Sequence, residues 1–145
     1  MSTLVTGSRS IDTPLVVARA ITDCPWDVQH IIHGDADGVD SMASTYATRM
    51  RIQETLSPIP DWVWAQVGPS AGPMRNEYMV EQADRVVAIW DGASDGTKDA
   101  MQQAASAGLP IYKVVCSVGS RGNEWTIDRS ELIEGDQSSL CDFAR

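Results

Sequence analysis

Four glycine-rich segments interrupt this chain, and each stands between an apolar run and a stretch with helical spacing. They read TGSRS from Thr6, HGDADGVD from His33, GPSAGPMRN from Gly68 and WDGASDGT from Trp90. A chain that passes from extended to helical through glycine so often is built of β-loop-α units. Such units close into a parallel sheet through right-handed crossovers. The intervening runs fit this. Strands are predicted at residues 3–6, 29–33, 61–66 (DWVWAQ), 85–90 and 111–115, with 85–90 apolar enough for a strand buried on both faces. Asp12 and Thr13 before Pro14 mark a helix start. Val39, Met42, Ala43, Tyr46 and Met50 recur at helical spacing over residues 38–53, residues 57–60 form a turn-rich connector, and further helices are predicted over 73–83 and 97–107. The fold class is therefore α/β, a Rossmann-like three-layer sandwich with a mainly parallel sheet of about five strands. Residues 1–115 make up that domain. Residues 116–145 are a C-terminal extension packed on it, in which 124–129 suit an edge strand and Trp125 covers part of the core.

Composition narrows the function classes. A 43% hydrophobic content supports a real core, and no run of eighteen apolar residues exists to span a membrane. The N-terminus lacks the basic and apolar regions of a signal peptide, so a cytoplasmic location is expected. Cys24, Cys116 and Cys141 are widely spaced and odd in number, which argues against both zinc and a disulfide framework. The net charge of -9 argues against duplex nucleic acid as a partner. Many aspartates beside only two lysines, Lys98 and Lys113, suit either a halophilic source or an ordinary acidic protein.

In an open α/β sheet, ligands bind beyond the carboxyl ends of the strands. The four loops converge there, and their chemistry is that of phosphate capture. Glycine lets backbone N–H groups approach an anion, and a helix N-terminus adds partial positive charge. The predicted ligand-binding set is Gly7, Ser8, Arg9, Gly34, Asp40, Gly72, Arg75, Asn76, Gly96 and Thr97. Arg75 offers a planar fork for phosphate unless it pairs with Glu77 or another acid, and Asn76 offers a base- or ribose-bonding amide. Asp91 and Asp95 either bind ribose hydroxyls or cap the helix that follows. Asp35, Asp37 and Asp40 suit turn and cap chemistry better than a metal site. No metal ligand set is assigned, and Mg2+ would enter only with a nucleotide. His33 reads as structural. Trp64 and Trp90 each either stack on a base or pack.

The motifs GSR, HGDADGVD, GPSAGPMRNEYM and AIWDGASDGT together resemble the YspA-like branch of the SLOG superfamily over residues 4–115. That superfamily includes the Lonely Guy (LOG) phosphoribohydrolases and the single-stranded DNA-loading protein of natural transformation. The resemblance implies a Rossmann-like fold that binds nucleotides or nucleotide-derived signals. Arg75, Met79 and Ala83-Asp84 stand where LOG enzymes carry an arginine and a methionine-containing helix, and DGASDGTKDA stands for the motif PGGxGTxxE. The catalytic glutamate of that motif falls on Ala100. Asp99 lies one residue earlier, rotated by about 100° on a helix, and is expected to point elsewhere. Three functions remain open: a nucleotide-binding or sensing protein, a hydrolase of an N-glycosidic or phosphate bond using Asp91, Asp95 or Asp99, and a non-catalytic interaction protein. A homodimer is expected with any of them.

Overall fold

The computed structural model describes residues 1–120, 122 and 124–134. Cys141 lies outside them. The chain is α/β, with an open six-stranded sheet in the order β3-β2-β1-β4-β5-β6. Its strands are β1 (Thr3–Gly7), β2 (His30–His33), β3 (Gln53–Leu56), β4 (Arg85–Trp90), β5 (Ile111–Val118) and β6 (Trp125–Ile133). The helices are α1 (Pro14–Asp23), α2 (Val39–Met50), α3 (Asp61–Val67), α4 (Ala71–Gln82) and α5 (Asp95–Ser106), with one 3-10 turn at Gly68–Ser70. Strands β1 to β5 are mutually parallel, and β6 runs antiparallel along β5 with an irregularity between Val115 and Cys116.

Burial explains the alternation along the central strands. Val5, Val87, Ile89 and Val114 enter one buried cluster with Val17 and Ile21 of α1 and Ala43 and Ala47 of α2. Their neighbours Leu4, Val86, Ala88 and Val115 enter a second cluster with Met79 and Val80 of α4 and Met101 and Ala104 of α5. A strand apolar at every position is thus buried on both sides.

Two elements differ from the sequence expectation. The predicted strand over 61–66 is helix α3, and the third parallel strand is instead β3, at the sheet edge. Tryptophan and valine favour strands where packing holds them, but no residue of α3 is buried. Pro60 precedes the helix and Gly68, at φ +61°, ends it. In β3, QETL lacks an apolar run because an edge strand buries little, and its central residues are only partly buried. The expected helix over 38–53 stops early: Arg51 adopts the left-handed conformation, and the Ile52 N–H returns to the Ala47 carbonyl at 2.8 Å. The sheet has six strands rather than about five.

The expected boundary at 115 falls inside β5, and β6 completes the same sheet. Lys113 of β5 is 2% exposed, with its ammonium 5.5 Å from the Trp90 ring centroid and 3.7 Å from Glu131 Oε1 of β6. A buried ammonium requires such company, so β6 contributes to the core electrostatics as well as to the sheet. No helix among the described residues is long and apolar enough to cross a membrane.

Candidate functional site

The loops after β1 and β4 meet where the sheet changes direction. These strands are neighbours, yet α1 leaves β1 for one face and α5 leaves β4 for the other. The loop ends part there and leave a crevice. A cavity of about 630 Å³ occupies it, lined from β1 to α5 by Gly7, Arg9, Ser10, Asp40, Gly72, Arg75, Asn76, Asp91, Asp95, Gly96, Thr97 and Asp99, among others. Four distant segments therefore contribute to one space of ordinary small-ligand size.

Glycines in this region have two distinct jobs. A Cβ on Gly7 would meet Val39 Cγ2 at 2.5 Å and the Ile89 carbonyl at 2.6 Å, and one on Gly38, at φ +76°, would meet the Arg9 carbonyl at 2.6 Å. Those two glycines let loops pack against each other. On Gly34 a Cβ would press on the Arg75 guanidinium at 2.8 Å. Gly72 and Gly96, each the second residue of its helix, face open space with nothing within 4 Å of a Cβ. Both line the cavity. No side chain caps α4 or α5, and the 3-10 turn runs straight into α4, where the Ala71 N–H donates to the Gly68 carbonyl.

Arg75 lies half-buried over Gly34, donating from Nη1 to its carbonyl at 3.4 Å, while its buried Nε has no hydrogen-bond partner. Among the described residues neither Arg75 nor Arg9 makes an ion pair; Glu77 does not capture Arg75. Burial lowers the proton affinity of Arg75, Asp40 opposes this, and the charge of Arg9 adds to the lowering. The half-buried Arg75 and the exposed Arg9 thus both line one cavity.

The carboxylates around them differ. Asp40 is 5% exposed and accepts from the Gly34 and Ala36 amides at 3.0 and 3.3 Å. Burial pushes its carboxyl above the usual range, against those bonds and the Arg75 charge. Asp91 goes the other way. Burial would raise it, but the Ser94 and Ala93 amides and the Ser10 and Ser8 hydroxyls together hold it below the usual range. Asp91 Oδ1 accepts from Ala93 and Ser94 at 2.9 and 2.8 Å, and Ser10 Oγ donates to Oδ2 at 2.8 Å. Asp95 is exposed at the start of α5.

Asp99 is a correction to the sequence expectation. It lines the cavity, whereas Ala100 is fully buried in the second core cluster's side of α5. The helix phase that hides position 100 turns position 99 to the crevice. Its Oδ2 accepts from Asn76 Nδ2 at 2.9 Å and Gln103 Nε2 at 2.8 Å. Asn76 also donates to the Gly96 carbonyl at 3.1 Å and is 3% exposed, so its amide braces α4 against α5.

Other predicted residues stand apart from the cavity wall. Ser8 is fully buried, and its hydroxyl accepts the Asp91 N–H at 3.0 Å. His33 is fully buried; Nδ1 accepts from the Asp35 amide at 3.0 Å, leaving Nε2 to donate to Glu54 at 3.0 Å. No group of three or more metal-ligating side chains occurs among the described residues. Cys24 and Cys116 are free and buried, with the Cys116 thiol pushed up to about 12 by burial. Trp90 is 1% exposed and donates to the Ser94 carbonyl, whereas Trp64 lines the cavity from α3. Ser10 and Ser94 carry no motif of their own in the sequence beyond adjacency to Arg9 and to the Asp95-Gly96 turn.

No protein-family model matches the chain. It is 36% identical over 118 residues to the Gene 61 protein of Mycobacterium phage D29, an alignment covering 74% of this chain and 91% of that protein. The chain belongs to the family of that phage protein. The aligned share of the relative is nearly its whole length, so the family extends over most of the fold described here.

Proposed function

We propose that the protein binds a nucleotide or nucleotide derivative, with the phosphate held beside Arg9 and Arg75 at the switch point of the sheet. The observation that carries this is the pair of arginines lining one cavity without an ion pair in a chain of net charge -9. Burying the Arg75 guanidinium, with its unpartnered Nε, costs free energy that an anion beside it would return, and the exposed Arg9 adds a second cation at the same cavity. Gly72 and Gly96 leave room for that anion beside the first turns of α4 and α5.

The strand order β3-β2-β1-β4-β5 and the two-sided core support a Rossmann-like three-layer arrangement. Together with the four motifs it supports membership of the YspA-like SLOG branch. A cytoplasmic, homodimeric protein, with Mg2+ arriving only with its ligand, belongs to the same reading. Thermal-shift measurements with inorganic phosphate, ribose 5-phosphate, AMP and NAD test it. Stabilisation by the phosphorylated compounds, lost in Arg75→Ala, is expected. The absence of any shift would overturn binding and favour a non-catalytic interaction protein.

Asp99 favours a second reading, a hydrolase of an N-glycosidic or phosphate bond, because its carboxylate lines the same cavity as the arginines. Incubation with AMP and chromatography for free adenine or phosphate separates the two. Release that Asp99→Asn abolishes would replace binding with catalysis.

A further inference from the structure

The second tryptophan of α3, Trp64, leaves part of its ring open at the cavity. Helix α3 buries none of its seven residues and packs chiefly on the 3-10 turn and α4. Trp64 is 37% exposed, yet it lines the cavity that holds Arg9 and Arg75. Pro69 and Pro73 follow it on the same wall. The charged and polar side chains of the cavity come mainly from the β1, β2 and β4 loops and from α4 and α5 beyond that wall. A large aromatic ring left half-open beside a polar anion site is unfavourable in water and becomes favourable when a flat apolar surface covers it.

We propose that Trp64 is a specificity-determining residue that stacks on the planar base of a nucleoside monophosphate whose phosphate lies at Arg9 and Arg75. This rests on the binding reading above and adds what the anion must be attached to. Trp90, the other aromatic near these loops, is closed off: it is buried with its indole N–H committed to Ser94. Trp62, although 68% exposed, does not line the cavity. Within α3, the wall therefore depends on one ring.

The test compares AMP with ribose 5-phosphate, which carries the same phosphate and sugar without a base, by isothermal titration calorimetry on the full chain. Wild type should bind AMP more tightly. Trp64→Ala should weaken AMP by about five- to 150-fold, the usual range for loss of one base–aromatic stack, and leave ribose 5-phosphate within about threefold. Trp64→Phe keeps a ring and should recover most of the AMP affinity. Because α3 contributes nothing to the core, both variants should melt like wild type. Equal wild-type affinities for the two compounds, or equal weakening of both by Trp64→Ala, would overturn the stacking role while leaving the phosphate reading intact. If wild type bound neither compound, both readings would fall.

Discussion

Under the binding reading, substituting alanine for Gly34 separates the proposed anion site from the fold, because the three atoms nearest the added methyl group all belong to the Arg75 guanidinium. The new Cβ would lie 2.8 Å from Cζ and 2.9 Å from Nε and Nη1. That group is the far end of a flexible side chain, so it swings away at little cost. The hydrogen bond it surrenders, Nη1 to the Gly34 carbonyl, is long at 3.4 Å and worth less than about 1 kcal/mol. Alanine also reduces the freedom of the unfolded chain by about 0.4–1 kcal/mol, and Gly34 is not in the left-handed region where alanine would be strained. The two terms offset, and Tm should stay within roughly 5 °C of wild type. Ligand affinity should not survive. An arginine displaced from its phosphate loses charge-assisted bonds worth about 1.5–3 kcal/mol, or about 10- to 150-fold in Kd. Calorimetry with ribose 5-phosphate reads that change directly. Wild-type affinity in Gly34→Ala would refute the placement of the phosphate at Arg75. A Tm loss beyond roughly 10 °C would refute the claim that the arginine yields.

The other glycines sharpen the comparison. In Gly7→Ala the methyl meets a backbone carbonyl and a buried valine, neither of which can leave, so a loss of about 1–3 kcal/mol is expected. Differential scanning calorimetry should show it as a clear fall in Tm without ligand present. Two carboxylates in one cavity should also show opposite pH slopes. Asp91, held low, contributes stability above the ordinary carboxylate value of about 3.9 and loses it as pH falls through its lower native value. Asp40, held high, costs stability as pH rises from about 3.9 through its raised native value. Melts from pH 3 to 8 should therefore be flatter on the acid side in Asp91→Asn, whereas Asp40→Asn should gain on wild type as pH rises; the reverse signs would contradict the bonding described. Asn76→Ala strips two bonds from a buried brace and should cost about 1–3 kcal/mol in urea unfolding, with Asn76→Asp no better because it faces Asp99. If self-repulsion governs this acidic surface, Tm should climb from dilute buffer to 1 M NaCl, where the screening length falls to about 3 Å; a flat response would set aside the halophilic reading.

What the sequence revealed followed burial. Residues 85–90 matched β4 at both ends because a strand covered on two faces must be apolar throughout. The glycine loops come together at the cavity because parallel strands carry their following loops to one edge of the sheet, and Gly72 and Gly96 face open space there. The misreadings fall on the uncovered side of the molecule. QETL of β3 lies at the sheet edge and DWVWAQV of α3 buries nothing, so neither hydrophobic pattern nor propensity had packing to report. Asp99 was misplaced for another reason. Rotation about a helix gives the angle between neighbours, but which of the two faces the core depends on the sheet beneath; here alanine fills that position and aspartate takes the crevice.

That exchange bears on whether the cavity does more than bind. A general base at neutral pH needs a free oxygen and a proton affinity near that pH. Asp91 fails on the second count, since four donors hold its carboxyl below the usual range. Asp40 is raised, but it is 5% exposed and its carboxylate holds the Gly34 and Ala36 amides that shape the loop under Arg75. Asp99 keeps Oδ1 outside its two bonds, both of which fall on Oδ2. It is a partly exposed carboxylate of the cavity wall with one uncommitted oxygen, and one substitution tests it. Asp99→Asn retains the size of the group and removes the charge, so the brace to Asn76 should loosen only modestly. Under the binding reading, AMP affinity in that variant should equal or exceed wild type, because a negative charge near the phosphate has gone. A large loss of affinity with an unchanged Tm would mean that the carboxylate itself grips the ligand, and the site would then need to be rebuilt around Asp99 instead of the arginines.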